Sequence, residues 1–141
     1  MGSVLETSIP ISSPGGAAPR VLVVANDPET PLRASCEQGI YNVDCIPHHD
    51  AIARIASSDF AEYAAVVVQV TDEPSSASAA YRTGEYILHF LHQLRPEALS
   101  RVIVFSEVDD FVARVPVAAV VPPRSAPEAV LVAIRDCTPA R

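Results

Sequence analysis

Several groups of residues in this 141-residue chain have types and spacings that could do chemistry. Gln69 ends the apolar run Ala64-Ala65-Val66-Val67-Val68. The position just past the carboxyl end of a buried strand is where open α/β sheets place their reacting groups. The group found there is an amide, which is neither nucleophile nor base. His48-His49-Asp50 offers three metal-ligand types in a row. Adjacent side chains diverge on a helix or strand, and no further ligands stand at a known spacing, so no metal site is expected. Asp50 reads instead as the cap of a helix from Ala51 to Ser58. His89 and His92, three apart on an expected helix, could meet one ligand, but they flank its apolar stripe and read as solvated positions. Cys36, Cys45 and Cys137 are too few and too scattered for a disulfide framework or a zinc site, and read as buried thiols. Asp27, Asp72, Glu107 and Asp109 each follow an expected strand end, where capping and loop solvation account for them.

One absence narrows the chemistry further. All 10 basic residues are arginine. The chain therefore holds no P-loop lysine, no Schiff-base lysine and no ammonium point charge. A formal charge of −7 argues against nucleic acid as partner, because a phosphate-backbone binder needs a basic face. No apolar run approaches a membrane span, and the N-terminus has neither a basic region nor a long apolar core to direct secretion. Glu6 at the sixth position does not fit N-myristoylation. The expectation is a cytoplasmic protein without a membrane partner. At 49% hydrophobic residues the chain is globular, and its length suits one domain.

Buried strands and the helices between them must position these groups. Residues 1–19, rich in Ser, Gly, Pro and Ala, read as a flexible tail with docking potential only around Val4-Leu5 or Ile9-Ile11. Val21-Leu22-Val23-Val24-Ala25 is a continuous apolar run, hence a buried strand. Asp27 caps a helix with Pro28 at its first position and Leu32, Cys36 and Ile40 on one face. Val43 to Pro47 reads as an edge strand, with an interior Asp44. The following helix turns Ile52, Ile55 and Ala56 inward. The strand ending at Gln69 is central, and the polar loop from Thr71 to Ser78 follows it. A longer helix runs from about Ala79 to Arg95, burying Ile87, Phe90, Leu91 and Leu94 and ending at Pro96. Arg101 to Ser106 is the fourth strand, and Glu107 to Arg114 has room for about two turns of helix. Val117 to Val121 is the fifth strand, and Ser125-Ala126-Pro127-Glu128 opens a last helix with Val130, Ile134 and Cys137 inside. Strands alternating with helices give a doubly wound parallel sheet spanning residues 20–137, with a short C-terminal end at 138–141.

That alternation, with four local signatures, resembles the receiver domain of two-component response regulators over about Arg20 to Cys137. Val21 to Pro28 looks like the family's first strand, which ends in an acidic pair. Ala64 to Gln69 resembles the strand ending in the phosphoacceptor aspartate. Val104-Phe105-Ser106 is similar to the strand ending in a hydroxyl residue, and Val120-Val121-Pro122-Pro123 to the stretch carrying a lysine. The resemblance implies a five-stranded parallel sheet in the order 2-1-3-4-5, CheY-like, with the helix after strand 4 shortened. Carried over by position, the acidic pair is Ala25 and Asn26, the acceptor is Gln69, the lysine is Pro123, and only Ser106 keeps its type. Val120 stands where the family has a switch aromatic, and the loop after Gln69 is longer.

Phosphoryl transfer to aspartate needs a carboxylate nucleophile, a divalent ion held by carboxylates, and a cation for the developing charge. Without them, the resemblance implies a stand-alone pseudo-receiver: no enzyme, no cofactor, no metal, and a phosphorylation-independent protein-protein module in bacterial signalling. Its partner would be a signalling protein or a second copy of the chain. Gln69, Asn26 and Ser106 are expected to form a neutral hydrogen-bonded cluster. The expected partner face carries Phe111, Arg114, Val120 and Arg124, residues that ordinary surface and helix-end roles explain equally well. The alternatives are a noncanonical phosphoacceptor or metal-dependent enzyme using the displaced acids, and a small-ligand sensor in the same crevice with the Thr71–Ser78 loop as lid.

Overall fold

The computed structural model describes residues 19–25, 41–71, 83–108, 111–122 and 128–137. Outside these residues lie the tail, Asn26, Asp27 and the helix expected after it, the loop from Asp72 to Ser78, Asp109, Pro123, Arg124 and the start of the Ser125–Glu128 capping box.

Five parallel strands form one sheet: β1 (Arg20–Val24), β2 (Asn42–Ile46), β3 (Tyr63–Val70), β4 (Val102–Ser106) and β5 (Ala119–Val121). Their order is β2-β1-β3-β4-β5, with all four pairings parallel. Val66, Val67 and Val68 of β3 are fully buried, as a strand covered on both faces requires. Side-chain alternation divides the core in two. Leu22, Val24, Val66, Val68, Val102 and Val104 pack with α1 (His48–Ala56) and α2 (Glu85–Leu94) on one face. Val21, Val23, Ala65, Val67 and Ile103 pack with Val130 and Ile134 of α3 (Glu128–Cys137) on the other.

Several local expectations are corrected. α1 starts at His48 with Pro47 as its N-cap, so Asp50 lies inside the first turn and caps nothing. An acid there still complements the helix dipole. The shift turns Ala51 and Ile55 inward and leaves Ala56 exposed. In α2 the buried positions are Glu85, Ile87, Leu88 and Leu91, while Phe90 is half-buried and Leu94 is 46% exposed. Leu94 falls on the last turn, where the chain leaves the sheet for the 3-10 segment Pro96–Arg101. Cys45 and Cys137 are half-buried rather than enclosed, and the Cys137 thiol donates to the Ile134 carbonyl at 3.4 Å.

The largest local difference is the link from β4 to β5. Among the described residues from Glu107 to Ala118 there is no helix, against the two turns expected from Glu107 to Arg114. From Phe111 to Val120 partly buried and exposed residues alternate along an irregular chain that bends at Arg114, Val115 and Ala118 before β5. Phe111, Val115 and Val117 lie against the core while Val112, Arg114 and Pro116 face out. Val115 and Val117, with Pro116 between them, disfavour a helix here, and the chain bends at Arg114 and Val115.

At the amino-terminal edge of the sheet, Tyr63 ties β1, β2, β3 and α1 together. Its hydroxyl donates to Asp44 at 2.7 Å and accepts from Arg54 at 2.5 Å and from Arg20 at 3.3 Å. Arg20 also donates to Asp44 and to Glu62, each at 2.9 Å, and its guanidinium carbon lies 4.7 Å over the Tyr63 ring. This is why edge strand β2 tolerates an interior carboxylate.

Candidate functional site

The carboxyl ends of β1, β3 and β4 and the first residue of α1 converge on Gln69. In β3, Val66, Val68 and Val70 point to one face and Ala65, Val67 and Gln69 to the other. Gln69 is in register with Phe105, so Glu107, two residues on, is its diagonal neighbour on the same face. The pairing extends past β4 through the Glu107 amide, which donates to the Val70 carbonyl at 2.8 Å. The Gln69 side-chain amide accordingly donates to the Glu107 carboxylate, Nε2 to Oε2, at 2.5 Å.

The main-chain oxygen of Gln69 is held from elsewhere. His48 Nε2 lies 2.7 Å from it. A carbonyl oxygen only accepts, so Nε2 carries the hydrogen. Burial holds the imidazole pKa below its ordinary value, against the opposing pull of that bond and of the Glu107 charge. Gly84 closes the other side with a φ of +96°, and a Cβ there would lie 2.2 Å from the Gln69 oxygen. Thr71 N–H then donates to the Thr83 carbonyl at 3.0 Å, which fastens the end of β3 to the turn before α2.

Of the neutral cluster expected of Gln69, Asn26 and Ser106, Asn26 lies outside the described residues and Ser106 does not meet Gln69. Ser106 is in register with Val70, so it points to the face opposite Gln69. Its hydroxyl donates to the Val108 carbonyl and accepts from the Val108 amide, both at 2.9 Å, forming a local turn. Ala25 is buried at the end of β1, its amide donating to the Ile46 carbonyl at 3.0 Å. Asn26 and Pro123 fall outside the described residues. Glu107, one of the displaced acids, is thus in the site, whereas His48 and Gly84 were not read as parts of it. A histidine directly after a strand-ending Pro47 was the available signal for the first, and a lone glycine before Glu85 for the second.

Chemically the site holds one amide, one carboxylate and one imidazole bonded to the main chain. No group of three or more His, Cys, Asp or Glu residues that could hold a metal occurs among the described residues. Among the described residues, Glu107 is the acid in contact with Gln69. No helix among the described residues is long and apolar enough to cross a membrane.

No protein-family model matches the chain, and no curated protein matches it in sequence. Solved structures do match in shape. The signal receiver domain of an HD domain-containing protein from Pseudomonas fluorescens Pf-5 superposes with a TM-score of 0.63 at 15% identity, over 85% of this chain and 94% of that one. A sensor protein from Polaromonas sp. JS666 gives a TM-score of 0.61 at 17% identity, over 84% and 94%. A response regulator protein from Burkholderia multivorans gives 0.51 at 20% identity, over 88% and 98%. At these identities the likeness establishes the fold: a five-stranded parallel sheet in the order 2-1-3-4-5 with flanking helices, as in CheY-like signal receiver domains.

Proposed function

We propose that the chain is a receiver-type regulatory module that works by protein contact, without phosphoryl transfer to its sheet edge. The observation that carries this reading is the Gln69–Glu107 pair. At the strand end that resembles the phosphoacceptor position, an amide is already engaged by a carboxylate at 2.5 Å. A phosphoryl donor approaching there meets the Glu107 negative charge, and the chain supplies no lysine to offset it. The partner face is the outer edge of the sheet. β5 is three residues long and among the described residues pairs only with β4, and a groove of about 530 Å³ runs between it and α3. Val120 and Val132 on that groove are 37% and 46% exposed, and Phe111 and Arg114 lie on the segment leading into β5. Short unpaired edges and exposed apolar groups suit docking by a protein.

Incubation with acetyl phosphate and Mg²⁺, followed by intact-mass spectrometry, tests the reading. The expected outcome is an unchanged mass and unchanged capture of the partner. A stable phosphoryl adduct would support the second reading, which Glu107 alone favours: a displaced acid acting as acceptor, with peptide mapping to Glu107 as its signature.

A further inference from the structure

We draw no further inference here: the strongest candidate, the groove between β5 and α3 lined by the exposed Val120 and Val132, belongs to the partner face already described, and nothing in the structure shows what covers it.

Discussion

The His48 imidazole donates from Nε2 to the main-chain oxygen of Gln69 across 2.7 Å, so the first residue of α1 grips the end of the central strand. This bond connects β2, through α1, to the site on β3, and it carries a pH dependence. Burial lowers the pKa of His48 in the fold, while the unfolded chain takes up the proton near about pH 6.5. The folded state thus binds fewer protons in that window. The stability contribution is complete above about pH 6.5 and is lost as pH falls through the lowered folded value. Urea midpoints measured from neutral to mildly acid pH should fall, and His48→Ala should flatten that slope. The variant should also lose roughly 1–2 kcal/mol at neutral pH, since the Gln69 oxygen loses its donor.

Gly84 is expected to be intolerant of any side chain. Its φ of +96° disfavours L residues, and the added Cβ would meet the same Gln69 oxygen at 2.2 Å. Gly84→Ala should cost roughly 2–4 kcal/mol in chemical denaturation, because strain and overlap act together. A loss under about 1 kcal/mol would show that the turn before α2 moves freely, contrary to its bond from Thr71.

Replacing Gln69 by glutamate puts two carboxylates in contact, because Glu107 Oε2 already lies 2.5 Å from the amide nitrogen. Two acids so placed do not both ionise cheaply. Gln69→Glu should be less stable than the parent by roughly 1–2 kcal/mol at neutral pH and should recover toward pH 5, when one of the pair holds a proton. Gln69→Ala, which only deletes an exposed bond, should change stability by less than about 1 kcal/mol and show no such recovery. Thermal melts of the three proteins across pH distinguish these outcomes.

Tyr63→Phe tests the opposite edge of the sheet. The Tyr63 bond, then Arg20, holds the Asp44 carboxyl below the usual range. Stability from Asp44 is therefore present above about pH 3.9 and lost as pH falls through its lowered value. Without the hydroxyl, carboxyl NMR should record a higher Asp44 pKa, and stability should drop by roughly 1–3 kcal/mol because Asp44 and Arg54 both lose a partner. An unmoved Asp44 titration would mean that Arg20 alone sets it.

The central strands were legible because continuous valine runs suit burial on both faces of a parallel sheet, whereas the strand order was implied by the family resemblance. Val21 to Ala25 and Ala65 to Val68 are buried in that way. Segments whose conformation is not set by their own apolar pattern were less legible. The Glu107–Arg114 stretch was read by its length as about two helical turns, but its described residues form no helix, and Val108, Phe111, Val115 and Val117 pack on the core instead.

The sequence by itself determined which groups are available: an amide at the end of β3, no lysine anywhere, and buried strands to carry them. Which of those groups meet was decided only in three dimensions. Strand register sets side-chain parity, and a slip of one residue reverses the face. Val70 opposite Ser106 sends Ser106 away from Gln69 and brings Glu107 to it. His48 and Gly84, 21 residues before and 15 after Gln69 in the chain, reach the same carbonyl because helices pack back across the sheet that carries it. Local sequence patterns fix strands and helices, but contacts between distant elements follow from how those elements stack.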